Sequence, residues 1–381
     1  MSEVRVNNLS NENNTGGPTI SGITTYSGRH FFVPPVGDTA SRPSDCEPGS
    51  LRFNTDSSHL EYFRGNTIGW TEIEAELTEP LGGGSGSNEG LGARALYAGG
   101  TTPTRVNTVD FLTISTMGDS QDFGDMPDTS TSTLAPCSSR TRAVFGGGYP
   151  YTNRICFFTF ASASDSTDFG DLTQSRASAN GLGDGIRGVF VGGYTGSNQN
   201  TIDYVTISQT GNAVDFGDLN GLTNAGQIAN STTRGLIGGI ANGTNTIDFI
   251  TIRTTGNASD FGDLTTGRSG GALGPCCNAV RGIFVAGYSG GDLNVLDFVT
   301  IATTGNATDF GDMAIIGASQ TGAASSPTRG VIMGGIGGSP RTQTNVSQKI
   351  EIATTGDSID FGDITTARNA GGGISNAHGG L

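Results

Sequence analysis

The tetrapeptide Asp-Phe-Gly-Asp occurs six times, with its phenylalanines at Phe123, Phe169, Phe216, Phe261, Phe310 and Phe361. Successive copies lie 46, 47, 45, 49 and 51 residues apart. A near-constant period of this length means that one supersecondary unit is repeated, each copy burying a face that it cannot bury alone. Two further signatures keep phase with it. One is an Arg followed by an apolar strand ending in Gly-Gly or its near equivalent, as in Arg187-Gly-Val-Phe-Val-Gly-Gly-Tyr194 and Arg281-Gly-Ile-Phe-Val-Ala-Gly-Tyr288. The same strand starts at Arg94, Arg142, Arg234 and Arg329. The other is an alternating strand, such as Ile202-Asp-Tyr-Val-Thr-Ile207, Ile247-Asp-Phe-Ile-Thr-Ile252 or Leu296-Asp-Phe-Val-Thr-Ile301.

Each unit therefore predicts four strands: a small-residue strand, the Gly-Gly strand, the alternating strand, and the one entering Asp-Phe-Gly-Asp. Small residues in the first suit a crowded centre where units converge. The alternating strand is apolar on both faces, as expected when each unit packs between two neighbours. Helix is disfavoured throughout, because 63 residues are Gly and each costs about 1 kcal/mol relative to Ala within a helix. The first unit begins at Arg94 without a small-residue strand, whereas the last leaves a spare one at Asn369-Ala-Gly-Gly-Gly-Ile-Ser-Asn376. Docking the spare strand beside the first unit completes six units and removes exposed edges. The expected fold is all-β: a six-bladed β-propeller closed by a C-terminal strand, over residues 93–381.

The order of strands from Thr265-Thr-Gly-Arg268 to Asp312 resembles the kelch repeat. Phe stands where kelch repeats usually carry Trp, and the sole Trp of this chain lies outside the repeats. The resemblance covers about three quarters of the chain; it implies a fold and says little about function.

Ahead of the repeats, residues 1–30 are polar and predict an extended or disordered arm, and residues 31–80 a small β attachment module. There, Leu51-Arg-Phe-Asn and His59-Leu-Glu-Tyr-Phe63 predict a hairpin, followed by a third strand near Trp70-Thr-Glu-Ile73. Residues 81–92 form a Gly/Ser linker. The segments Gly49-Ser-Leu-Arg-Phe-Asn-Thr-Asp56, Leu60-Glu-Tyr-Phe-Arg-Gly65 and Trp70 resemble a small module of tailed-bacteriophage structural proteins. Thr-Thr-Gly-Asn-Ala before Asp-Phe-Gly-Asp is similar to repeats of cyanophage virion proteins. These resemblances imply a virion protein whose hairpin residues Leu51, Phe53, Tyr62 and Trp70 dock it to other virion components through residues 1–80. A homotrimer is compatible with such an attachment.

The net charge of −15 disfavours nucleic-acid and anionic-membrane partners. No run approaches the roughly 20 apolar residues needed to cross a bilayer. Cys46, Cys137, Cys156, Cys276 and Cys277 are odd in number and lack CxxC spacing, which points to neither a disulfide framework nor a zinc site. Asp-Phe-Gly is shared with the metal-binding segment of protein kinases, but six phased copies without a phosphate loop or a catalytic loop have a structural meaning. Aspartate pairs such as Asp215 and Asp218 fit turn hydrogen bonds better than Ca²⁺ coordination. The six strand-start arginines fit local carboxylates or carbonyls better than an anion-binding channel. His30, His59 and His378 are far apart in sequence and predict no catalytic triad.

The expectation is a non-enzymatic virion protein without cofactor or metal, tail- or fibre-associated, that binds the host surface or decorates the particle. Its binding residues would be Tyr149, Tyr151, Tyr194 and Tyr288, at corresponding positions after the Gly-Gly turns, meeting a host glycan or protein. The six repeat phenylalanines are its structural anchors. The alternatives are a glycan-acting enzyme on a propeller scaffold and a cellular kelch interaction scaffold.

Overall fold

The computed structural model describes residues 34–44, 46–56, 59–73, 93–127, 132–315, 320–338, 340–378 and 380–381. The expected arm over 1–30 and the linker over 81–92 lie outside the described residues, as do 31–33 and 74–80 of the attachment module. The chain divides into two compact units, Met1–Glu76 and Leu77–Leu381. Among the described residues, helix is confined to single turns at Thr39–Ser41 and Ile240–Gly243, and no helix is long and apolar enough to cross a membrane.

In the smaller unit, Val36–Gly37 runs parallel to Leu51–Asn54, which continues antiparallel into His59–Phe63 and Trp70–Ile73. The alternation buries Arg52, Asn54, Glu61 and Phe63, while Leu51 on the opposite face stays exposed. Glu61 is held by Arg42 at 2.6 Å, Arg52 at 3.2 Å and the Asn54 amide at 3.3 Å. Burial acts to raise its carboxyl, but hydrogen bonds from Arg42 and Asn54 and the charges of both arginines bring it below the usual range.

The larger unit contains six four-stranded antiparallel sheets built alike. The third is representative: Asn180–Gly183, Arg187–Val191, Gln199–Thr206 and Val214–Thr223. The first takes its edge strand, Gly372–Ser375, from the C-terminal end and pairs it with Arg94–Ala98. The spare strand is used as expected.

Asp-Phe-Gly-Asp proves to be a β-bulge. In the third sheet Ile202 pairs with Gly217 and Asp203 with Asp215, so Phe216 is the extra residue. The same shift recurs in the other five sheets. All six phenylalanines are buried to 3% exposure or less, each worth roughly 1.5–3 kcal/mol of burial. Five pack edge-on against the aromatic of the neighbouring strand, as Phe216 does on Tyr204 at 6.0 Å. The following Gly is needed for two reasons. Gly217 has φ +144°, and a Cβ there would strike the backbone of Gly256 in the next repeat.

The apolar cores lie between sheets. One joins Leu182 and Val189 of the third to Ile228 and Ile237 of the fourth. Another joins Ala95 and Tyr97 of the first to Val331, Met333 and Phe361 of the sixth. Each junction is also tied at its edge: the second Asp amide of the motif donates to an Asn or Asp side chain of the next repeat. Asp171 meets Asn212, Asp218 meets Asn257, and Asp363 of the sixth sheet meets Asp119 of the first.

Candidate functional site

The inner strands begin at six corresponding residues, Thr133, Ser178, Ala225, Gly270, Gln320 and Ala370, all with φ between 51° and 64°. Five of the six are not Gly, a conformation costing about 1–3 kcal/mol each unless the surroundings hold it. Here the backbone holds them. The amides of Ser178, Ala225, Gln320, Ala370 and Thr133 donate to the carbonyls of Thr133, Ser178, Gly270, Gln320 and Ala370 respectively, at 2.6–3.2 Å.

The four sequence-predicted tyrosines surround this end. Tyr149, Tyr194 and Tyr288 exchange backbone bonds with Ser132, Ala177 and Ser269, each the residue before a positive-φ position. Tyr149, Tyr151 and Tyr288 are 43–44% exposed. Tyr151 packs 5.5 Å from Tyr149 and 6.0 Å from Tyr194, and the Arg105 guanidinium lies 5.0 Å over Tyr149. Tyr288 stands apart from that cluster, with Arg341 at 5.7 Å over its ring and held by Asp292. Tyr288 and Arg341 line a polar depression of about 300 Å³ together with Ser178, Asn224, Ser269 and Gln320.

First strands of several sheets are also bonded directly to one another. The inner strand from Gly270 to Cys277 is two residues longer than that from Ala225 to Asn230, and the surplus folds inward. Leu273 donates its amide to Thr321 and accepts from Gly373, both at 2.8 Å, while Asn180 binds the Ala272 carbonyl and the Gly274 amide. A Cβ on Gly274 would collide with the carbonyls of Gly373 and Ala323. At the far end, Ser138, Ser375, Ser325, Cys277 and Asn230 link neighbouring inner strands by side-chain hydrogen bonds, and His378 bonds Ser138 at 3.0 Å. Burial lowers His378 from 6.5 to about 4. A cavity of about 500 Å³ also opens near this end, but its Asp184 is committed to Arg253 and to turn amides, and its Arg142 to Ile207.

The strand-start arginines hold repeats together. Each donates Nη1 to a carbonyl of the next repeat at 2.5–3.1 Å, with Arg329 reaching Ile114 of the first. The Asp-Phe-Gly-Asp carboxylates form no metal-binding group of three among the described residues. Burial and the carboxylates of Asp165 and Asp122 raise Asp125. His59 and His378 fall in different units, and His30 lies outside the described residues. Of the hairpin residues, Leu51 is exposed and Phe53, Tyr62 and Trp70 are partly buried; Trp70 lies 5.5 Å from Phe63 and donates to the Pro43 carbonyl.

Sequence reasoning missed the buried ion pairs. Arg176–Asp203, Arg268–Asp297 and Arg368–Asp110 lie at 2.7–3.2 Å with side chains at most 1% exposed, in the third, fifth and first sheets. The even-numbered sheets use Cys156, Asp248 and Gln348 at the same place, Asp248 bonded by Asn220 and Gln348 by Ser358. Burial raises Asp248, and the Asn220 bonds oppose the shift. The signal was an Arg six residues after the glycine of the preceding Asp-Phe-Gly-Asp, as at Arg176, Arg268 and Arg368. No family model and no curated protein matches the chain.

Proposed function

We propose that the larger unit is a closed six-bladed propeller and that the chain is a non-enzymatic recognition protein of a tailed-bacteriophage particle. Closure is supported by the C-terminal strand in the first sheet, the core shared by the first and sixth sheets, and the Arg329–Ile114 and Asp363–Asp119 bonds. The virion setting rests on the resemblance of residues 49–70 and of the repeats to phage structural proteins. In this reading the smaller unit docks to the particle and the tyrosine-bearing end meets the host surface.

One observation carries the recognition role. Tyr149, Tyr194 and Tyr288 come from corresponding turns of three sheets and are pinned by the same backbone bridge; Tyr151 packs on the first two, and Tyr288 lines a polar depression. Exposed tyrosine combines large contact area with little conformational entropy, which suits a binding face. Labelling the chain and imaging the source particle by electron microscopy should place it on the virion. A label absent from every particle removes the virion reading. Purified protein should also adhere to host cells, and Tyr151→Ala with Tyr288→Ala should weaken adhesion without shifting Tm.

A further inference from the structure

We infer that the depression between Ser178, Asn224, Ser269, Gln320 and Tyr288 is a subsite for a neutral saccharide. The inference rests on the reading of this end as a recognition face and names its ligand class. At about 300 Å³ the depression is at the small end of ligand-site volumes, which suits one sugar ring or the end of a glycan chain.

Its chemistry selects the class. The side chains of Ser178, Asn224 and Ser269 line the depression and make no hydrogen bond among the described residues, so their donors and acceptors are free for ligand hydroxyls. Gln320 already accepts from Asn369 at 2.6 Å, leaving its amide N–H groups to donate. Tyr288 supplies an exposed aromatic surface of the kind that covers the C–H face of a sugar ring, and Arg341 over it fixes its orientation. Arg341 is the only ionisable cation of the lining, and Asp292 neutralises it with bonds of 2.7 and 2.8 Å. An anionic sugar would therefore meet no unpaired positive charge, on a chain whose net charge is −15. Hydroxyl-matching polar groups beside an aromatic plane, without net charge, describe a neutral-sugar site.

The test is saturation-transfer NMR and calorimetric titration of the full chain with methyl glycosides of glucose, galactose, mannose and N-acetylglucosamine, and with N-acetylneuraminic acid. At least one neutral glycoside should bind saturably, and the acid should not. The double variant Asn224→Ala/Ser269→Ala should keep its Tm and weaken that binding about tenfold or more, from the loss of two hydrogen-bonding groups. Asp119→Ala, which deletes only the bond from the Asp363 amide, should leave it unchanged. Preference for the acid, or neutral binding indifferent to the double variant, overturns the inference. If no saccharide binds while the protein still adheres to host cells, the ligand class is wrong and the recognition role stands. If it neither binds saccharides nor adheres to cells, both fall.

Discussion

The backbone amide of Asp363 donates to the Asp119 carboxylate at 3.0 Å although 244 residues separate them along the chain. This is the same bond that joins each repeat to its successor, made here between the last and the first. Truncation after residue 368 removes Gly372–Ser375 and bares the edge of Arg94–Ala98. The truncated chain is expected to lose its cooperative melt and to aggregate on size exclusion. Asp119→Ala, which deletes one exposed bond, should cost only about 1 kcal/mol. A truncated monomer with the Tm of the full chain would contradict the closed arrangement.

Arg268 and Asp297 are both fully buried and 2.7 Å apart. Removing the cation leaves the carboxylate with Thr265 as its remaining side-chain partner. Arg268→Ala should therefore lower the urea-unfolding free energy by roughly 3–5 kcal/mol, whereas Arg268→Met combined with Asp297→Leu should be far milder. Equal losses in the two variants would deny the pair its role.

His378 is neutral in the folded protein, its pKa lowered from 6.5 to about 4 by burial. Between those values the unfolded chain takes up a proton that the folded chain refuses. Its contribution to stability is thus complete above pH 6.5 and is lost as pH falls to about 4, a loss of about 3 kcal/mol. His378→Gln should flatten the stability–pH curve in that window relative to the parent. Parallel curves would show that the imidazole does not titrate in this way.

Gly270 and Gly274 are four positions apart and should respond oppositely. Gly270 has φ +64° with open space around it, and Ala already occupies the corresponding positions at 225 and 370. Gly270→Ala should change stability by about 1 kcal/mol or less. Gly274→Ala drives a methyl into the Gly373 and Ala323 carbonyls and should cost about 3 kcal/mol or more. Thermal melts of the two variants make the comparison.

Trp70 is the only tryptophan and belongs to the smaller unit, so its fluorescence reports on that unit. Glu61→Ala leaves Arg52 buried without its carboxylate and should destabilise the fluorescence-monitored transition by roughly 3 kcal/mol. In the parent, this contribution is present above the ordinary Glu range and is lost as pH falls through the lowered folded pKa. An unchanged fluorescence transition in the variant would refute it.

The repeat, its four strands and the destination of the C-terminal strand were legible because hydrophobic period and glycine placement are local signals. The common position of Tyr149, Tyr194 and Tyr288 was legible by phase, each following its Gly-Gly or Ala-Gly turn. The bulge at Phe216 was not, since a two-residue alternation does not reveal which residue is left unpaired. Nor were the Arg176–Asp203 pair and its relatives, because a polar residue in a strand pattern reads as solvent-facing until its partner is placed. The inward fold of Leu273 left a trace in the 49-residue spacing, but a spacing does not distinguish a longer surface loop from a longer inner strand.

The segment Ala272–Gly274 has a consequence for traffic through the molecule. Bonds from it to Asn180, Thr321 and Gly373 reach three other strands, so the middle is a bolted partition. Whatever is captured at the tyrosine end cannot be passed to the end where His378 sits. An event at the tyrosine end can reach the His378 end only through the strands themselves.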